Sequence, residues 1–179
     1  MFRSSLFQTY KPVLVFIVKF GGFYMIFSGI YFWYLSLYTA QTDPLTLWVG
    51  KIVTKLFDLS GIQAETLPLF NEHGLKLIVE GNYVARIVEG CTAMSVLIMF
   101  AAFVFAFGHS FQKNLIFVLG GSILLFGFNI LRIVLLGYIM YVFPEYQDMA
   151  HRLVFPALIY GFLILLWVVF VLKINDDEV

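Results

Sequence analysis

LIFVLGGSILLFGFNILRIVLLGYIMYVF (residues 115–143) is an apolar run whose only strongly polar members are Asn129 and Arg132. The hydrocarbon core of a bilayer, about 30 Å thick, takes about 20 helical residues. At about 1.5 Å per residue this run measures roughly 40 Å, too long for one straight crossing, so a helix here must tilt or break. Gly127 and Gly137 bracket the polar pair, which favours a helix that ends or kinks near Arg132 and continues as a shallow or re-entrant piece.

Three more apolar runs flank this one, at 13–37, 91–107 and 153–172. The first carries Lys19 near one end, where a lysine snorkels to the headgroups, and shows no small-residue cleavage site after a short apolar stretch. It reads as an anchor rather than a removable signal. Gly108-His109-Ser110, with the polar Gln112, Lys113 and Asn114 after it, reads as a tight turn between antiparallel helices. The expected fold is an all-α integral membrane protein of about four transmembrane helices, a single domain over 1–179 whose third span is 115–142.

Composition agrees. The 179 residues are 61% hydrophobic and 19% aromatic against 12% charged, where a soluble domain is about 25% charged. That excludes a soluble enzyme and a disordered regulator. The single cysteine forbids an intrachain disulfide, and equal numbers of basic and acidic residues give a formal net charge of zero. No nucleic acid is drawn to such a chain by bulk electrostatics. Lipid is its expected surroundings.

Arg3 and Lys11 precede the first span, Lys113 sits in the short turn and Lys173 follows the last span. The positive-inside rule makes that side cytoplasmic. Both termini then face in, and segments 38–90 and 144–152 face out. Within the outer segment, Asp43-Pro44 is a helix start, and Leu45, Trp48, Val49, Ile52, Val53, Leu56 and Phe57 recur at helical spacing up to Gly61. An amphipathic helix lying in the interface fits this pattern. Runs 75–80 and 83–89 are β-prone and separated by Gly81-Asn82, a hairpin signal.

Three residues fall at one depth near the outer face: Cys91 at the mouth of the second span, Arg132 roughly 26 Å along the third, and His151 just before the last. A guanidinium inside an apolar run costs at least about 2.5–3.5 kcal/mol on insertion scales, so Arg132 needs a reason. His109 lies on the inner side, and His73 reaches this depth only from the loop. A thiol is a poor nucleophile until it ionises, and a nearby guanidinium or imidazolium favours the thiolate. A histidine in reach takes the thiol proton and returns it to a leaving amine, while an arginine donates to the developing oxyanion. Glu89 opposes thiolate formation unless Arg132, Arg152 or the imidazole occupies it. Thr92, Ser95 and Asn129 are further polar candidates beside the trio. The plainer readings are a packed cysteine, a snorkelling or loop-paired arginine and a histidine that merely caps a helix.

The string Glu89-Gly90-Cys91-Thr92-Ala93-Met94-Ser95, then Asn129-Ile130-Leu131-Arg132, then His151, resembles the exosortase and archaeosortase family, most nearly its short exosortase F branch of Bacteroidetes, over roughly residues 75–172. The resemblance implies a bacterial inner-membrane cysteine protease or transpeptidase with its site on the periplasmic side. Its substrates would be exported proteins ending in a short motif, an apolar helix and a basic end. It maps the nucleophile to Cys91, the arginine to Arg132 and the histidine to His151. Ala93 departs from the pattern, standing where many members have glycine. On this reading an extended substrate motif pairs with the hairpin edge while the tail helix packs into the bundle.

The competing class is a non-catalytic assembly or transporter subunit with a structural intramembrane arginine. No cofactor or metal is expected, because one cysteine and three histidines split between two faces leave too few ligands at one depth.

Overall fold

The computed structural model describes residues 2–39, 41–69, 73–107 and 110–176. The predicted turn at Gly108 and His109 lies outside them. Helix α1 (Phe2–Ser36) leads to a unit made of α2 (Pro44–Leu59) and strands β1 (Ala64–Pro68), β2 (Leu75–Val79) and β3 (Asn82–Ile87). A 3-10 turn (Glu89–Thr92) then feeds α3 (Met94–Phe107) and α4 (Phe111–Val142). A 3-10 turn (Pro144–Tyr146), one helical turn (Gln147–Met149) and a π segment (Ala150–Val154) join α4 to the last helix, α5 (Phe155–Asp176).

Among the described residues, three helical stretches are long and apolar enough to cross a membrane: Tyr10–Ser36, Phe111–Val142 and Pro144–Lys173. The protein is an integral membrane protein with a small sheet on a mostly helical frame. The expected second span is shorter than its apolar run, since α3 has 14 residues and so extends about 21 Å. Cys91 and Thr92 belong to the 3-10 turn and Ala93 is left-handed, so the helix begins only at Met94.

Inside a bilayer, packing rather than water exclusion holds helices together. Here α3 sits in the middle, its Val96, Phe100 and Val104 interlocked with Leu125 of α4 and with Ile159, Leu163 and Phe170 of α5. Gly121 of α4 gives the Phe100 ring its space, because a Cβ there would run into it. Trp167 stacks on Phe103 at 4.4 Å. Helix α1 joins α3 through ring contacts, with Phe16 edge-on to Phe103 at 5.5 Å and Phe27 edge-on to Phe105 at 6.1 Å.

Helix α4 does not break at Arg132; it is continuous to Val142. Two of its glycines, Gly121 and Gly137, serve packing. A Cβ at Gly137 would stand 3.0 Å from Leu77 and 3.1 Å from Phe57, so this glycine lets α2 and the sheet settle onto the helix. Gly127 faces open space.

Helix α2 starts where expected, with the Asp43 carboxylate accepting from the amides of Leu45 at 3.0 Å and Thr46 at 3.1 Å. Its apolar face is turned to protein: Val49, Val53 and Phe57 pack against Leu75, Leu77, Val79 and Ile87 of the sheet and Ile130 and Ile133 of α4. Full burial of such side chains stabilises by about 1.5–3 kcal/mol each. The expected hairpin forms but belongs to a three-stranded antiparallel sheet in the order β1-β2-β3. Its turn residues are Glu80 and Gly81, at φ of 49° and 75°, one position earlier than the Gly81-Asn82 pair, because Val79 faces Asn82 across the ladder. Positive φ at both central residues is what a two-residue type I′ turn requires.

Candidate active site

Cys91 lies in the 3-10 turn between the sheet and α3, half-buried and with a free thiol. Three bonds shape the turn. The Cys91 amide donates to the Val88 carbonyl at 2.7 Å. The Thr92 hydroxyl donates to the Glu89 carbonyl at 2.7 Å. With that proton engaged, the Tyr31 hydroxyl of α1 donates to Thr92 Oγ1 at 3.5 Å. Ala93 then takes φ of 60° and ψ of 5°, a left-handed conformation costing an L-residue roughly 1–2 kcal/mol and glycine nothing. That gives a physical reason for a glycine at this position; here the alanine methyl is buried in partial compensation.

Asn129, 1% exposed, donates its side-chain amide to the Cys91 carbonyl at 2.7 Å. This bond ties the cysteine turn to α4. Asn129→Leu leaves that carbonyl without its donor, and an unmet buried acceptor costs about 1–3 kcal/mol. The expected result is a lower melting temperature in detergent together with slower alkylation of the Cys91 thiol; unchanged values for both would remove the positioning role.

One helical turn beyond Asn129, Arg132 faces the same side. It lines a cavity of about 470 Å³ shared with Cys91, with residues 83–87 of β3, and with Gln147, Asp148, His151 and Arg152 from the connection after α4. Arg132 Nε is shut off from solvent and has no hydrogen-bond partner among the described residues. His151 stands in the π segment, a local unwinding frequent at functional sites, and is exposed. Arg152 pairs with Asp148 at 3.6 Å, and both are largely exposed, so this pair contributes little to stability.

The cavity therefore gathers Cys91, Arg132 and His151 from the turn, α4 and the π segment, with Arg152 at its rim. Glu89 and Ser95 do not line it; Glu89 gives only its carbonyl to the turn, and Ser95 is exposed at the start of α3. His73 approaches the Gln41 carbonyl at 3.4 Å, away from the site. The sequence reading includes the hairpin edge but not Tyr31 or Asp148. Tyr31 was detectable as one of three tyrosines, with Tyr34 and Tyr38, at the C-terminal end of an apolar helix, where interfacial aromatics gather.

A model of the transmembrane exosortase family matches residues 9–174. The chain belongs to the transmembrane exosortase family. No curated protein and no solved structure matches it. The family match reaches well beyond the motif-bearing part of the chain and takes in α1 and α2. In this exosortase both have structural ties to the site, α1 through Tyr31 to Thr92 and α2 through the core beneath the sheet, against which Cys91 also packs.

Proposed function

We propose that this member of the exosortase family is a membrane-embedded cysteine transpeptidase or protease that cuts the C-terminal sorting tails of exported proteins. The observation that carries this reading is the single cavity lined by Cys91, Arg132 and His151. In the reaction the His151 imidazole takes the Cys91 thiol proton, and the sulfur attacks the scissile carbonyl carbon. Arg132 donates to the oxyanion that forms. The C–N bond breaks, the amine leaves with the proton held by His151, and a thioester remains. Water or an acceptor amine then attacks the thioester and returns the thiol.

The topology that fits has both termini in the cytoplasm, α3 as a short fourth membrane helix, and α2, the sheet and the cavity on the periplasmic side of a bacterial inner membrane. The basic residues around the helix ends support this orientation.

The test uses the chain's one cysteine. A membrane-impermeant maleimide applied to intact spheroplasts is expected to label Cys91 from outside, and His151→Ala to slow that labelling by about tenfold or more. Labelling only after permeabilisation would overturn the topology. A rate indifferent to His151→Ala would leave Cys91 as packing and favour a non-catalytic membrane subunit.

A further inference from the structure

Among the described residues, strand β3 pairs with β2 on one side only; the strand order β1-β2-β3 leaves its other edge without a strand neighbour. Five consecutive β3 residues, 83–87, line the cavity that holds Cys91. Successive residues of a strand project to opposite faces. A cavity touched by all five runs along the edge, where main-chain N–H and C=O groups stand, and not over one face. The five residues extend about 16 Å at about 3.3 Å each, and the chain reaches Cys91 four positions after Ile87.

We infer that the free edge of β3 is the template on which an extended substrate segment next to the scissile bond is held, added as a fourth strand leading to Cys91. The inference rests on the catalytic reading above. The pairing register supports it: Ile78 faces Tyr83 and Leu77 faces Ala85, so Val84 is an extra residue, a bulge in β3. Bulges bend an edge strand and occur beside active sites. The cavity fits one chain only. Arg132, Leu136 and Met140 of α4 and Gln147, Asp148, His151 and Arg152 of the following connection line the cavity together with the edge, and its volume of about 470 Å³ has space for a single short peptide and none for the sheet of a second copy. Recognition by main-chain bonds fixes direction and register whatever the side chains, and side-chain selection is left to the rest of the lining.

The probes are two cysteine-directed peptides without side-chain information, acetyl-alanyl chloromethyl ketone and acetyl-tetra-alanyl chloromethyl ketone. With each, the Cys91 sulfur displaces chloride and forms one C–S bond. With the full-length protein in liposomes, the tetrapeptide is expected to alkylate Cys91 about tenfold faster or more, the gain of two or three main-chain hydrogen bonds. Single N-methyl groups scanned along the tetrapeptide should remove the gain at alternate amides, because only every second residue of an added strand bonds to the template edge. Val84→Pro should lower the ratio of the two rates.

Equal rates for the short and long reagents, or N-methyl effects without the period of two, would overturn the template while leaving Cys91 as a nucleophile. Failure of both reagents to alkylate Cys91 would overturn the catalytic reading and the template with it.

Discussion

Cys91→Ser is expected to abolish conversion of a tail-bearing exported substrate, with a loss on the order of 10⁴–10⁶-fold. The replacement keeps the shape of the side chain and changes its chemistry. A hydroxyl is a far weaker nucleophile than a thiol at neutral pH and here would have to be activated by a base arranged for sulfur. The chain has one cysteine, so no second thiol can substitute. Both hydrogen bonds that hold this residue use its main chain, the amide to Val88 and the carbonyl to Asn129. Both survive the change, and a half-buried cysteine loses little packing when sulfur becomes oxygen. Thermal unfolding in detergent should therefore stay within about 1 kcal/mol of the parent. The measurement is a gel-shift time course of substrate conversion beside a melting curve. Conversion by the serine variant at even a tenth of the parent rate would refute a thioester route.

Three of the four expected spans were legible as long apolar helices because bilayer thickness sets a length that apolar runs reveal directly. The limits of α3 were not, since they depend on Ala93 adopting a left-handed conformation that an alanine seldom announces. Strand β1 went unread for a different reason. Ala64-Glu65-Thr66-Leu67-Pro68 alternates weakly and ends in proline, and it is a strand because β2 offers an edge to pair with. Gly127 and Gly137 looked alike as helix breakers, yet Gly137 is a packing contact with Phe57 and Leu77 made across about sixty residues or more of chain. Contacts of that range lie beyond local pattern. Depth, residue chemistry and the family resemblance single out the trio in the sequence, but depth fixes height in the membrane and not the rotation of each helix. Its gathering around one cavity follows from how α4 is clamped: Ile130 and Ile133 pack into the core between α2 and the sheet, and Asn129 holds the cysteine turn. With those positions fixed, the helical period turns Arg132 to the cavity.

Arg132→Met is expected to separate activity from stability, and the direction of the second effect is what makes it diagnostic. Arg132 Nε is buried and unpartnered among the described residues, and an unmet buried donor costs about 1–3 kcal/mol. Methionine has similar reach and no polar head. Removing the guanidinium should raise stability by about 1–3 kcal/mol, read as a higher melting temperature in detergent. Substrate conversion should fall by about 10²–10³-fold, the loss typical of deleting one oxyanion donor. Arg132→Lys refines the result. It keeps the charge but lacks the fixed fork of N–H donors, so the rate should recover only partly, while the stability gain is lost to a compact, strongly hydrated ammonium in the same place. A structural arginine behaves in the opposite way: its removal lowers the melting temperature and activity together, and lysine restores both. The first outcome would mean that the arginine is kept against a cost in stability, at the wall of a cavity that also holds the chain's one thiol, for what it does to a substrate.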